Sequence, residues 1–346
     1  MNNMRTFLRL MLLVTAPLAG WGQDYHFANS IQMPQLLNPG ATGSGSVHRT
    51  RIASLYRGQW DNLINQHSYQ GAAVLADMRF CLQNSKKNFY ALGIGLQHDF
   101  SPLGYFYNSN GMLSAAYHQH LGEETFAAVG GSLGGLAMGI HPEKLKFDEQ
   151  FQNGAYAPSN SNGENFLRDN ILQPDLSAGF VLYNNKQGWS AGMSWRHLNK
   201  PIYSLQGDEN RLGVGMVLYG TCSLWKTKAF GQNLHGRVLY RRQSVTGSNS
   251  KQWQTMAGVF YQTGFSGQTG MKMTAGAYLR GGSLPGSSFS VNTIVPAIQL
   301  GNDRFSTIIS YDVDVARTRS RFAGGLEIVF QTSFGKSDRC IVCSGY

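Results

Sequence analysis

The sequence predicts an all-β fold, namely a transmembrane antiparallel outer-membrane β-barrel of about 14 strands. The N-terminus has the layout of an export signal, and many segments of about ten residues alternate between apolar and polar positions, as barrel strands do. The composition agrees: among 346 residues there are 42 glycines, 12% aromatic residues and only 14% charged residues. Beyond the N-terminus no apolar run is long enough for a membrane helix, which excludes a helical membrane protein.

Residues 1–22 are predicted to be a cleavable secretory signal peptide. Arg5 and Arg9 precede an apolar run at 10–14, and the small residues Gly20 and Gly22, in a Gly-x-Gly pattern, lead to Gln23. This order of charged region, short apolar core and small residues is typical of such signals. The run is too short to cross ~30 Å of hydrocarbon, which needs ~20 residues, so an anchor is disfavoured.

The rest of the chain divides into three predicted parts. Residues 23–48 form a periplasmic or lumen-facing N-terminal segment, residues 49–335 form the β-barrel, and residues 336–346 form a periplasmic C-terminal tail. A barrel of ~14 strands is wide enough to need filling by side chains, water or a plug. The stretch 24–47 is long enough to enter the lumen as such a plug.

The period-two alternation is clearest in the last predicted strand, residues 321–335. Successive side chains of a strand point to opposite faces, and here the faces differ in polarity. One face carries Phe322, Gly324, Leu326, Ile328, Phe330, Thr332 and Phe334, and the other carries Ala323, Gly325, Glu327, Val329, Gln331 and Ser333. Soluble sandwiches also alternate, but the export signal and the number of segments favour a membrane barrel.

Fourteen such segments are predicted, at 49–59, 68–80, 89–100, 111–121, 125–138, 174–184, 187–197, 210–225, 231–243, 252–264, 270–280, 288–299, 303–313 and 321–335. The connections alternate between longer and shorter ones. Outer-membrane barrels have short periplasmic turns and longer outer loops, so an even strand count with both ends inside explains the alternation.

Several groups of residues, spread over nearly the whole mature chain, resemble one family in their order. They are Gln23-Asp24-Tyr25-His26-Phe27, Leu37-Asn38-Pro39-Gly40-Ala41-Thr42-Gly43, Tyr56-Arg57-Gly58-Gln59-Trp60, Asp175 to Tyr183 with Trp189 to Leu198, and Ser310-Tyr311-Asp312 with Gly325-Leu326-Glu327. The chain resembles the PorP/SprF family of outer-membrane proteins associated with type IX secretion. It departs from the family at Gly40, where alanine is usual, and at Thr42, where an aromatic residue is usual.

The resemblance implies a non-enzymatic barrel that helps cargo proteins to cross or stay attached to the cell surface. Such cargo is often an adhesin with a type IX C-terminal signal domain, and a periplasmic peptidoglycan-associated lipoprotein is the expected machinery contact. The connection 139–173, rich in Asn, Gly and Ser, is the candidate outer partner-facing loop, and the tail 336–346 is the candidate periplasmic contact. The alternative function is a diffusion channel or transporter for a small solute.

One motif typical of hydrolases occurs in a Gly-rich predicted strand. Gly130-Gly131-Ser132-Leu133-Gly134 fits Gly-x-Ser-x-Gly, but a nucleophile elbow needs a strand–turn–helix context, and no helix pattern follows. We therefore expect no catalytic residues, and keep a lipase with Ser132 as nucleophile only as a third class.

The histidines do not predict a metal site. His118 and His120 share one face, but without a nearby third ligand a solvated lumen position is favoured over metal binding. His67, His98, His141 and His197 are interpreted as interfacial or loop residues. We expect no metal and no cofactor.

Four cysteines, Cys81, Cys222, Cys340 and Cys343, fall on the predicted periplasmic side. An oxidising compartment permits disulfides, and four cysteines allow three pairings between which the sequence does not choose.

The charge balance, without Arg5 and Arg9, is 27 − 19 = +8. An exported chain meets little nucleic acid and no recognition motif is present, so no nucleic-acid partner is expected. The basic residues are instead expected to line the lumen or to meet anionic outer-membrane lipid and polysaccharide; they are Arg237, Arg241, Arg242, Arg317, Arg319 and Arg321.

Overall fold

A computed structural model describes most of the chain. The described residues are 26–46, 48–59, 69–81, 87–101, 105–141, 144–146, 150–152, 155–157, 168–205, 210–227, 231–245, 251–265, 270–282, 289–315 and 324–335. The predicted signal peptide, the C-terminal tail, His67, Cys340, Cys343, Arg317, Arg319 and Arg321 lie outside these residues.

Fourteen antiparallel strands form a closed barrel, in which each strand pairs with its sequence neighbours and β1 closes the ring on β16. The barrel strands are β1 (Thr50–Gln59), β2 (Tyr69–Cys81), β3 (Phe89–Ser101), β4 (Phe106–Gly122), β5 (Thr125–Ile140), β8 (Asn170–Asn184), β9 (Trp189–Arg196), β10 (Leu212–Lys226), β11 (Asn233–Val245), β12 (Lys251–Gly264), β13 (Lys272–Gly282), β14 (Ser290–Gly301), β15 (Phe305–Asp314) and β16 (Gly324–Phe334). Two short strands, β6 (Phe151–Gln152) and β7 (Ala155–Tyr156), pair within the β5–β8 connection.

The predicted strand number is confirmed, and most predicted bounds are close to the observed ones. The largest difference is β4, predicted from residue 111, which begins at Phe106. Its first residues include Asn108 and Asn110, which pair with Met138 and Leu136 of β5. The polar composition of this stretch hides the strand from an alternation test, although the backbone ladder continues through it.

The period-two pattern separates a lipid-facing outer surface from the lumen. Exposed apolar side chains alternate with buried or small ones, as in β3, where Leu92, Ile94 and Leu96 are exposed and Ala91 is fully buried. The predicted faces of the last strand, β16, are confirmed for the described residues. An apolar belt with a polar interior is the arrangement that a membrane barrel requires.

The two ends of the barrel differ in their connections. One end, the short-turn end, carries the β4–β5, β8–β9 and β14–β15 turns together with the start of β1 and the end of β16. The other, the long-loop end, carries the β5–β8 and β9–β10 connections. The two longest connections therefore lie at the same end, as expected, but the alternation is not strict, because the β3–β4 connection (102–105) is shorter than the β2–β3 connection (82–88).

Three short helical turns precede the barrel. They are a 3-10 turn at Ala28–Gln32, one α-helical turn at Pro34–Leu37 and a 3-10 turn at Pro39–Ala41. No helix among the described residues is both long and apolar enough to cross a bilayer.

Two described cysteines lie in different states, which gives a simple chemical prediction. Cys81 is disulfide-bonded, whereas Cys222 is free and exposed on the outward face of β10. We expect a membrane-permeant maleimide to label Cys222 in the folded protein without reductant and to label Cys81 only after reduction. Peptide mapping by mass spectrometry measures both, and labelling of Cys81 before reduction would contradict the assignment.

Candidate functional site

The N-terminal segment 26–46, called the plug below, lies inside the barrel. Its side chains are largely buried, including Met33, Gln35, Asn38 and Thr42. It bonds to strands on opposite sides of the ring, from β16 through β4 to β8 and β9. A short segment that contacts strands all round a closed barrel must occupy its lumen.

The plug approaches the wall most closely at three glycines. Gly130 of β5 and Gly179 of β8 are direct register partners, and Gly40 of the plug lies against both. A Cβ added at Gly130 would stand 2.6 Å from the Pro39 carbonyl oxygen and 2.8 Å from the Gly40 Cα. One added at Gly40 would stand 2.6 Å from the Gly179 carbonyl oxygen. Only glycine at these positions permits this backbone-to-backbone contact.

Asn38 fixes the plug at this point. Its side-chain Nδ2 donates to the carbonyl oxygens of Phe180 (2.8 Å) and Met193 (3.2 Å), while its Oδ1 accepts from the Gly40 N–H at 2.8 Å. The extended backbone of Asn38, φ −154° and ψ 113°, is the conformation expected before proline. Because both amide ends of a buried side chain are used, Asn38 joins β8 and β9 to the plug.

A second attachment, the latch, consists of Arg57, Asp312 and Glu327. The Glu327 carboxylate accepts from the backbone N–H groups of Ala28 (2.9 Å) and Asn29 (2.6 Å). Arg57 lies 2.5 Å from Asp312 and 3.7 Å from Glu327. These three side chains are at most 7% exposed, so the charges compensate one another away from water, as buried charges must.

The latch is connected by further hydrogen bonds to the start of the plug and to Arg280 of β13. Arg57 also donates to the His26 carbonyl oxygen at 2.6 Å, and Arg280 donates to Asp312 at 2.9 Å. The Asn29 side chain donates to the Ser310 hydroxyl at 2.6 Å. The first turn of the plug is thereby held by side chains of β1, β15 and β16.

The far part of the plug is attached through His118. Its Nε2 bonds to the Thr42 carbonyl oxygen at 2.8 Å, and its Nδ1 bonds to the Tyr183 hydroxyl at 2.9 Å. The ring stacks on Phe89, with centroids 4.1 Å apart. The predicted lumen-facing position is correct, but the predicted solvation is wrong, because the plug covers His118 and both ring nitrogens bond to protein.

His197, predicted to be an interfacial or loop residue, directly follows the end of β9. It is fully buried after β9, and its Nδ1 lies 2.8 Å from an Asp175 oxygen. The Asp175 carboxylate also approaches the Asn110 amide at 3.5 Å. This pair binds the end of β9 to β8 beneath the long-loop end.

The family-like groups of residues, scattered along the sequence, meet at the plug. Asn38 lies in it, Arg57, Asp312 and Glu327 form the latch, and Ser194 bonds to the Leu37 carbonyl oxygen. The sequence indicated these segments but not their meeting place. The sequence patterns do not single out Arg79, which donates to the Gly43 carbonyl oxygen. The signal that could have identified it is a charged residue at a lumen-facing position of a strand.

The other candidate residues do not assemble into a reactive centre. Ser132 lies inside β5, paired with Ser114 and Ser177, so the turn that a nucleophile elbow needs is not formed there. In the part of the chain that the structure describes, no group of three metal-type ligands occurs. Arg237 and Arg241 face the lumen, whereas Arg242 faces outward.

Below the plug, a polar hollow opens at the short-turn end and is called the vestibule below. Its volume is about 440 Å³. Amide, hydroxyl and charged side chains line it; the lining includes Gln262, Lys272, Thr274, Gln299, Asp303, Arg304, Ser306, Gln331 and Ser333. The vestibule thus lies between the plug and the short-turn end.

Substitution of Ser194 tests one hydrogen bond between the plug and the barrel wall, and its expected effect on stability is modest. Ser194→Ala removes the hydroxyl that donates to the Leu37 carbonyl oxygen, which leaves a buried acceptor without this donor. We expect a loss of about 1–3 kcal/mol in the free energy of unfolding. Urea unfolding of the purified protein followed by tryptophan fluorescence measures it. Ser54→Ala on the outward face of β1 is the control and should change little.

One family model matches most of the chain. The family model described as "Type IX secretion system membrane protein PorP/SprF" matches residues 20–331. Similar solved structures include the Ralstonia pickettii toluene transporter TbuX, with 8% identity, 91% of this chain and 96% of that chain covered and a TM-score of 0.46. The CymD monoaromatic hydrocarbon channel is another, with 11% identity, 91% and 95% coverage and a TM-score of 0.46. A search of curated protein sequences found no match.

Proposed function

Because the chain belongs to the PorP/SprF family of type IX secretion system membrane proteins, we propose that it is a non-enzymatic accessory of that system. In this role the outer-membrane barrel assists the secretion or surface anchoring of a cargo protein such as an adhesin. The observation that carries the proposal is the plug, which the latch, Asn38 and His118 attach around the lumen. A barrel filled in this way does not conduct a polypeptide through its centre, so its work falls to its surfaces.

The two ends then have different partners. The short-turn end faces the periplasm, as in other outer-membrane barrels, and meets the secretion machinery through a periplasmic lipoprotein. The long-loop end faces outward and meets cargo bearing a type IX C-terminal signal domain. The apolar belt between them contacts outer-membrane lipid.

The β5–β8 connection is the proposed cargo contact. Its hairpin β6–β7 presents Phe151 and Tyr156, whose rings lie 5.4 Å apart and are 46% and 36% exposed. Exposed aromatic side chains in a loop are typical of interaction sites. Removing residues 150–157 should abolish cargo display while leaving the barrel folded.

A gentle detergent pull-down of the tagged protein from its native membrane, followed by mass spectrometry, tests the function. We expect a large surface protein with a type IX signal domain, and its loss in the variant without residues 150–157. A barrel recovered without a protein partner that conducts ions in a planar bilayer would instead support the diffusion channel.

A further inference from the structure

The lumen wall binds polypeptide backbone, and the plug shows how. Side chains of the wall bond to backbone groups along the length of the plug, not only to its side chains. The wall side chains and their backbone partners are Arg57 with His26 O, Glu327 with Ala28 N and Asn29 N, Gln331 with Gln32 O, Ser194 with Leu37 O, His118 with Thr42 O and Arg79 with Gly43 O.

The same side-chain chemistry continues below the plug in the vestibule. Register pairing places Gln262, Thr274 and Gln299 in one row across β12–β14. A second row runs through Lys272, Gly301, Ser306 and Gln331 across β13–β16. Gln331, which bonds to the Gln32 carbonyl of the plug, belongs to this second row, so the rows continue the plug-binding surface.

The length, charge and lining side chains of the vestibule indicate which class of ligand fits it. Residues two apart on a strand are about 6.6 Å apart. The two rows, together with the turns at the short-turn end, therefore span a length that fits about four residues of an extended peptide. Lys272, Arg304 and Arg79 line the vestibule, and its one described carboxylate, Asp303, lies 3.5 Å from Lys272, so the lining keeps a net charge of 3 − 1 = +2. Among its described lining residues the one aromatic is Phe305, which lies on the outward face, so no ring is available to stack on a sugar.

From these observations we infer that the vestibule is a binding site for a short, extended, acidic polypeptide segment that enters from the short-turn end. The amide and hydroxyl rows bond to the backbone of the segment, as Gln331 does to the plug. The basic side chains favour carboxylates on the segment. The site does not depend on whether the barrel serves secretion or diffusion.

Isothermal titration of the purified full-length protein tests the inference with defined probes. They are the peptides Ser-Asp-Ser-Asp-Ser and Ser-Asn-Ser-Asn-Ser, and maltopentaose. We expect the acidic peptide to bind more tightly than the neutral one, and maltopentaose not to bind. Ser306→Trp, which fills the vestibule, should weaken peptide binding by about tenfold or more.

Thr307→Trp is the matched control, because Thr307 is the next residue of β15 and faces outward. It should leave peptide binding unchanged, and a normal unfolding transition of both variants excludes misfolding as the cause. Failure of both peptides to bind, equal binding to Ser306→Trp, or tighter binding of maltopentaose would overturn the inference. Binding that appears only after removal of residues 336–346 would assign the site to the chain's own tail and overturn it as well.

Discussion

Gly179→Val is expected to displace the plug and open the barrel to ions. A Cβ at Gly179 would overlap the Asn38 side-chain oxygen and lie 3.0 Å from the Ser194 Cβ. Overpacking of this kind costs about 1–3 kcal/mol, which raises the displaced population about 5–150-fold. The strand itself tolerates valine, so the cost falls on the contact between plug and wall.

Planar-bilayer conductance measures the opening, and limited proteolysis within residues 26–46 reports the displaced plug independently. The control is Gly131→Val, which lies on the outward face of the paired strand β5, where an added Cβ meets its nearest atom, the Ser177 carbonyl oxygen, at 3.5 Å. It should behave like the unmodified protein. Equal conductance of the two variants would show that the plug does not seat on Gly179.

Arg57→Ala is expected to lower the free energy of unfolding by about 3–5 kcal/mol, because it leaves the buried carboxylates of the latch without this cation. Arg57 is 4% exposed and lies between Asp312 and Glu327. Arg280 still bonds to Asp312, so the uncompensated charge falls mainly on Glu327. The first turn of the plug should loosen as a result.

Chemical denaturation of Arg57→Ala, Glu327→Gln and the double variant gives the free energy of unfolding of each. Together with the unmodified protein they form a double-mutant cycle, which isolates the interaction between Arg57 and Glu327. We expect the double variant to be less destabilised than the sum of the single ones, since Glu327→Gln removes the charge that Arg57 compensates. Arg242→Ala, on the outward face of β11, is the control. If Arg57→Ala lowers the free energy of unfolding by less than about 1 kcal/mol, the expectation is wrong, because a loss that small is typical of weak, solvent-screened ion pairs.

The strands could be predicted from the sequence because a membrane barrel imposes period two on every strand. Leu326, Ile328 and Phe330 alternate with Glu327 and Val329, and lipid and lumen differ enough for the alternation to persist. Where a strand extends beyond this pattern, as at Asn108 in β4, the predicted strand begins too late. The number of strands and the face on which each side chain lies can thus be predicted from the local sequence pattern.

The site depends on contacts that no local pattern contains. Glu327 was predicted to face the lumen, but its bonds to Ala28 and Asn29 join residues about 300 positions apart. The burial of His118 follows from the plug lying over it, and a sequence shows only that a plug is long enough. Gly130 belongs to the hydrolase-like sequence motif, but in the structure its lack of a side chain lets the plug backbone pack against β5.

The plug also constrains the order in which the barrel can mature. Ala28 is bonded to Glu327 across 299 positions, so the plug acquires this partner only after the last strand has joined the barrel. Contacts of such sequence separation form slowly, since the closure entropy is lost before the contact is gained. We therefore expect the bonds between the plug and the latch to be among the last contacts to form during barrel assembly.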